Sequence, residues 1–252
     1  MSDDLTRDGF MDGRLQIWQP KVGYRAATDP VFLAAACPAK PGDRVLELGC
    51  GVGVAALCLA GRVEDLTLTG VERQVFYANL AARNAAAARV SMRIVTADIT
   101  ELPQNLRQES FDHVIANPPY FVPGAGTAAE DVGREAALRE ETPLKAWIDA
   151  AHARLKPNGW LTLIQSADRL SDCLVTLSNG FGSLSVLPLA AREGRAAGRV
   201  VIRARKGGKA PFRLLYPILI HENVSHQEDG DDYSEIAKSV LRDAAPLPFP
   251  PA

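Results

Sequence analysis

The sequence predicts an α/β fold built on a mainly parallel sheet with helices on both faces, and three observations carry that expectation. Four strand-like runs, at residues 44–49, 66–72, 92–98 and 111–116, alternate with segments of helical character. The first leads through Gly49-Cys50-Gly51-Val52-Gly53 into an apolar helix, the strand, glycine turn, helix order of a nucleotide-binding unit. The four runs also finish in or beside Glu47, Glu72, Asp98 and Asn117. Right-handed crossovers keep such strands parallel, so the four polar residues fall on one edge of the sheet. The crevice beyond that edge is where folds of this kind bind ligands.

At 252 residues, with 47% hydrophobic and 23% charged content, the chain suits one large α/β domain or two small ones. No internal repeat or linker divides it. One domain is therefore expected over residues 40–245, with an N-terminal segment before it (1–40) and a proline-rich, disordered tail after it (246–252). The formal net charge of −2 argues against a protein that coats nucleic acid non-specifically, yet allows a local basic patch. The start Met1-Ser2-Asp3-Asp4 lacks a secretory signal, and no run approaches the roughly 20 apolar residues of a membrane span, so a cytoplasmic location is expected. Cys37, Cys50, Cys58 and Cys173 show no CxxC pairing and His113, His152, His221 and His226 no ligand spacing; neither a disulfide framework nor a metal site is expected.

In chain order, residues 1–28 read as an irregular segment containing one short strand or extended arm at Leu15-Gln16-Ile17-Trp18-Gln19. Thr28-Asp29-Pro30 opens an apolar helix in which Asp29 is expected either to cap the N-terminus or to touch a ligand. The helix after the glycine turn is expected to end at Gly61. Glu47 lies two places before the glycines, where it would repel a pyrophosphate and suit a cationic ligand. Glu72 follows about 25 residues after Glu47, the spacing at which these folds hold ribose hydroxyls. An alanine-rich helix is expected from about residue 75 to 88. The strand at 111–116 runs into Asn117-Pro118-Pro119-Tyr120 and must stop there, because proline has no N–H to give a sheet. That places an asparagine, two rigid carbonyl-bearing residues and an aromatic at the ligand edge.

Downstream, Gly124 to Asp131 is expected to form a substrate lid, residues 142–155 a helix, Lys156-Pro157-Asn158-Gly159 a turn, and 160–164 the fifth strand. Residues 199–209 and 212–220 read as a hairpin. Its Arg203, Arg205, Lys206 and Lys209 are either a solvated edge or a phosphate rail for RNA, which Arg192, Arg195 and Arg199 would extend. The acidic stretch Glu228-Asp229-Gly230-Asp231-Asp232 lacks the spacing of a calcium loop.

Glu47-Leu48-Gly49-Cys50-Gly51-Val52-Gly53, Glu72, Asp98 and Asn117-Pro118-Pro119-Tyr120 together resemble the motifs of class I S-adenosylmethionine-dependent methyltransferases that modify amino groups. The resemblance implies a Rossmann-like, mainly parallel seven-stranded sheet with an antiparallel edge hairpin. It implies S-adenosyl-L-methionine as cofactor, lined by Thr28, Asp29, Glu47, Gly49, Cys50, Gly51, Gly53, Glu72, Arg73, Asp98, Ile99 and Asn117. Within that set Gly49 and Gly51 would pass beneath the methionine part, Glu47 would meet its ammonium, Glu72 the ribose hydroxyls and Asp98 the adenine amino group.

The tetrapeptide suits a planar amine. Hydrogen bonds from an NH2 to the Asn117 side-chain oxygen and the Pro118 carbonyl would pull the nitrogen toward a tetrahedral form, with its lone pair aimed at the methyl group. The proton can leave afterwards, so no strong base is required. Tyr120, with Phe121, would stack on the acceptor ring, worth about 1–3 kcal/mol per base. Gln19 to Asp29 further resembles the segment closing over the cofactor in the bacterial tRNA1(Val) adenine-37 N6-methyltransferase family, Gly133 to Arg139 its Arg-containing loop, and Tyr233-Ser234-Glu235 its C-terminal helix start. The expected reaction is N6-methylation of an adenine in structured RNA, most of all tRNA, with Arg134, Arg139, Arg199, Arg203 and Lys206 as RNA contacts and no obligate protein partner. Guanine N2 of ribosomal RNA, DNA adenine and protein glutamine stay open as acceptors. The glutamine enzymes carry a helical N-terminal domain for which about 40 residues leave no room. A non-catalytic S-adenosylmethionine-binding subunit is the alternative outside the class.

Overall fold

The computed structural model describes residues 4–120, 142–222 and 232–250. Its sheet is organised by β3 (Arg44–Leu48), β4 (Thr67–Glu72), β5 (Met92–Thr96) and β6 (Phe111–Ala116), all parallel, with β7 (Leu155–Ser166) parallel beside β6. The order β5-β4-β3-β6-β7 reverses between β3 and β6, so the segments leaving those two strands diverge to opposite faces and open a crevice between them. Register aligns Leu48 with Val71 and with Ala116, which brings the strand ends level.

Alternating side chains feed two cores. On one face α1 (Asp29–Ala36), α2 (Val54–Arg62) and α3 (Val75–Ala87) pack on Val45, Leu68, Ile115 and Val201. On the other, α4 (Gln104–Arg107), α5 (Leu144–Arg154) and α6 (Leu170–Leu177) contribute to the core around Leu46, Leu48, Val114 and Leu161. The helix α2 runs one residue past Gly61, because the Val63 N–H still reaches the Leu59 carbonyl at 2.9 Å.

The N-terminal segment is more ordered than its sequence suggests. Two strands, β1 (Leu5–Phe10) and β2 (Leu15–Pro20), form an antiparallel hairpin. The fully buried Asn84 of α3 ties it down: Nδ2 donates to the Trp18 and Val52 carbonyls at 3.1 and 3.0 Å, and Oδ1 accepts the Trp18 N–H at 2.9 Å.

The expected hairpin at 199–220 is a correction. The strand β9 (Ala197–Lys206) pairs antiparallel with β7 and with β8 (Phe181–Ala190). The segments β10 (Arg213–Leu214) and β11 (Ile218–Leu219) instead add to the far side of β8, in parallel. Pro188 conceals β8 in the sequence, since proline argues against a central strand. It falls at the break between β10 and β11, where no ladder donor is required. The expected turn at 156–159 is an irregularity within β7, with Asn158 at φ 64°.

The tail is a second correction. Leu247 is 3% exposed and its N–H donates to the Ala35 carbonyl at 2.9 Å, while Phe249 lies under the Arg203 guanidinium at 4.0 Å. Residues 246–250 are therefore packed rather than disordered: prolines stiffen an extended segment and the apolar residues between them have a place to bury. The last helix, α7 (Glu235–Asp243), begins at Ser234, whose hydroxyl accepts the Ala237 N–H.

Candidate active site

The site forms where β3 and β6 part. After β3 the chain turns through Gly49 at φ 63° and Gly51 at φ 53°, a left-handed backbone that residues with a Cβ rarely adopt. A Cβ on Gly49 would strike the Trp147 ring, and one on Gly51 would come 3.4 Å from Tyr24. Cys50 is buried and donates its N–H to Val71; Gly53 is the residue before α2. The turn is thus clamped between Trp147 from α5 and Tyr24 from the segment before α1. Tyr24 is itself held by its N–H on the Tyr77 hydroxyl at 3.0 Å.

Three carboxylates surround this turn. Glu72 accepts the Gly51 and Gln74 N–H groups at 3.0 and 2.9 Å. A carboxylate has roughly four lone-pair sites, so about two remain for hydroxyls of a ligand. Glu47, 5% exposed, takes the Ala56 N–H in the first turn of α2 at 3.0 Å. Burial pushes its carboxyl up to about 8, with the Glu72 charge adding to the rise and the Ala56 N–H opposing it. Asp29, the third, does not cap α1: Thr28 stands at the cap position and offers no side-chain bond. The Asp29 carboxylate instead meets Tyr120 Oη at 2.7 Å and Arg199 Nε at 3.1 Å.

Asp98 lies just past β5, where its Oδ1 accepts both the N–H and the hydroxyl of Thr100. These bonds, led by the hydroxyl, hold its pKa below the ordinary value. Ile99 beside it is buried and Arg73, after Glu72, is exposed.

Pro118 is buried behind Asn117, and two groups from β7 and the turn after it hold the tetrapeptide: Gln165 Nε2 donates to the Pro119 carbonyl at 3.4 Å and Arg169 Nη1 to the Tyr120 carbonyl at 3.5 Å. The Tyr120 hydroxyl also lies 2.7 Å from Asn117 Oδ1. Arg199 covers one face of the Tyr120 ring, 4.3 Å from its centroid. Gln165 is a polar residue near the end of a fifth parallel strand, so the strand-end rule that found Glu72 could have found it. Nothing local marks Trp147 or Arg169.

The basic run of β9 is not one rail, because successive side chains of a strand face opposite ways. Arg199 turns to Asp29. Arg203, 8% exposed, is buried with Nε on the Ala36 carbonyl. Lys206 points to the other face, where Nζ donates to the His152 and Leu155 carbonyls at 2.7 and 2.8 Å, at the end of α5. Arg203 is thus spent inside the fold, which corrects its reading as an RNA contact, while the half-buried Lys206 is tied to two backbone carbonyls. Phe121, Arg134, Arg139 and the expected lid at 124–131 lie outside the described residues.

These features fit S-adenosylmethionine. Buried carboxyls beside a glycine turn favour a cationic ligand. A dinucleotide pyrophosphate would be repelled.

Comparison with known proteins agrees. The family model described as a methyltransferase small domain matches residues 28–192. The chain is 28% identical to the tRNA1(Val) (adenine(37)-N6)-methyltransferase of Dickeya chrysanthemi, over 95% of this chain and 94% of the relative. It is 36% identical to the enzyme of that name from Porphyromonas gingivalis, over 67% and 69%. Among solved structures it is similar to a predicted O-methyltransferase from Agrobacterium tumefaciens, with a TM-score of 0.70 and 26% identity over 87% of this chain and 98% of that one.

Proposed function

The chain belongs to the methyltransferase small-domain family and is an S-adenosylmethionine-dependent enzyme; from that premise we propose that it methylates N6 of an adenine in tRNA. The observation that carries this reading is the tetrapeptide Asn117 to Tyr120, its Pro119 and Tyr120 carbonyls held by Gln165 and Arg169, beside an acid-lined glycine turn. When bound, the cofactor supplies a methyl group on a sulfonium, an electrophile that an amine lone pair attacks.

Each side of the site then has its task. Glu72 receives ribose hydroxyls on its remaining lone pairs, Asp98 the adenine amino group, and Glu47 lies close enough to the turn to favour the ligand's positive charge. On the acceptor side, the Asn117 oxygen and the Pro118 carbonyl take the two N–H bonds of the exocyclic amine. This draws the lone pair out of the ring and aims it across the crevice. The proton departs after transfer, so positioning and polarisation supply the catalysis. The Tyr120 ring stacks on the purine.

The relatives' printed names favour adenine of tRNA over guanine, DNA or protein amides. A tRNA substrate puts the enzyme in the cytoplasm; among the described residues no helix is long and apolar enough to cross a membrane. Incubating unmodified tRNA with the protein and isotopically labelled S-adenosylmethionine, then digesting to nucleosides, should yield labelled N6-methyladenosine by mass spectrometry. Label found only in guanosine, in DNA or in protein glutamine would overturn the assignment.

A further inference from the structure

The phenol of Tyr120 stands between two oxygens, Asp29 Oδ2 and Asn117 Oδ1, each at 2.7 Å. A phenol carries a single hydrogen, so it cannot donate to both. Asp29 also receives Arg199 Nε at 3.1 Å, and an ion-paired carboxylate offers only acceptors. Charge-assisted bonds are about twice as strong as neutral ones, so the phenol hydrogen goes to Asp29. The phenol and amide oxygens would then face each other with no hydrogen between them.

Turning the Asn117 amide end for end removes that conflict. Its NH2 then donates into the phenol lone pair, and its carbonyl oxygen swings away from Tyr120 toward the crevice. Which end of an amide is which is decided by its hydrogen-bond partners, and here the partners decide it unequally.

We propose that Asp29 is a positioning residue that acts through Tyr120 to fix the polarity of the Asn117 amide, NH2 inward and carbonyl oxygen presented to the incoming amino group. The opposite polarity would oppose two donors, the amide NH2 and the acceptor's NH2. Arg199 completes the device, since it both pairs with Asp29 and lies over the Tyr120 ring. Burial and the Asp29 charge push the phenol pKa up, so Tyr120 remains a donor at working pH.

The inference rests on the proposed transfer to an amine only for its kinetic arm; its spectroscopic arm does not. In the full-length protein carrying 15N-asparagine, the Asn117 side-chain resonances are identified by their loss in Asn117→Ser. One NH2 proton should lie downfield in the wild type and return toward a solvent-like shift in Tyr120→Phe and Asp29→Asn. With tRNA, each of these two variants should lower kcat by about 10- to 100-fold, with acceptor KM within about threefold of wild type. The double variant should be no slower than the slower single one, since both cut the same chain. An NH2 signal indifferent to both substitutions, additive kinetic effects, or a loss confined to cofactor affinity would overturn the proposal. Wild-type protein that transfers nothing to tRNA while showing the expected NH2 shifts would sink the acceptor assignment and leave the relay standing.

Discussion

Glu72, the last residue of β4, accepts the Gly51 N–H at 3.0 Å, so the glycine turn leaving β3 is fastened to the neighbouring strand. The other Glu72 oxygen takes the Gln74 N–H. Replacing Glu72 with Ala removes both acceptors and leaves the buried Gly51 N–H unpaired, which should cost about 1–3 kcal/mol of stability. Cofactor affinity should weaken at least about tenfold, since the turn and the proposed ribose contacts fail together. Urea unfolding and titration calorimetry read the two effects; unchanged affinity refutes the ribose role.

Glu47 provides a pH signature. Its carboxyl is raised from 4.5 to about 8, first by burial, so the folded state binds the proton more tightly than the unfolded chain. The stability this contributes is complete below about pH 4.5 and is lost as pH rises through about 8. Unfolding free energy should decline across that window, and Glu47→Gln should flatten the decline. Binding a cationic cofactor nearby should expel the proton. Calorimetry in buffers of differing ionisation enthalpy should therefore detect proton release near neutral pH in the wild type and not in Glu47→Gln.

On the proposed reading Asn117 serves the acceptor amine. Asn117→Ala should keep cofactor affinity within about threefold and lower transfer by about 100-fold or more, the scale seen when one preorganised polar group is removed. Single-turnover transfer to tRNA measures this, and undiminished transfer would sink the catalytic role.

The Gly49 backbone, at φ 63° and against the Trp147 ring, leaves no room for a methyl group. Gly49→Ala should cost about 1–3 kcal/mol in backbone strain before the clash is counted. A shift in tryptophan fluorescence should accompany the loss.

Leu247 tests whether the tail belongs to the fold. With its side chain buried in the α1 core cluster, Leu247→Ala should destabilise the protein by about 2–5 kcal/mol. A tail free in solution would show no change in the urea midpoint.

The features read correctly from sequence are those whose cause lies within a few residues. Glycine alone tolerates the backbone of positions 49 and 51, proline ends β6 at Asn117, and apolar runs punctuated by such residues mark β3 to β6. Parallel crossovers then carry Glu72, Asp98 and Asn117 to one edge with no knowledge of packing. The strand β8 escaped because Pro188 speaks against it locally, and only the gap between β10 and β11 makes the proline harmless.

By itself, then, the sequence determined the parallel sheet, the glycine turn, the acids beside it and the place of the tetrapeptide at the end of β6, because periodicity, backbone freedom and missing donors are local properties. Tertiary structure alone decided what the charged side chains do. Asp29 reads as a cap or a ligand contact until Tyr120, 91 residues on, and Arg199, 170 residues on, arrive at its carboxylate. The basic run of β9 reads as one surface until the sheet turns Arg203 inward and Lys206 to the opposite face. A charge is spent on whatever packing brings within about 3 Å of it, and that neighbour is set by the fold rather than by the adjacent residues.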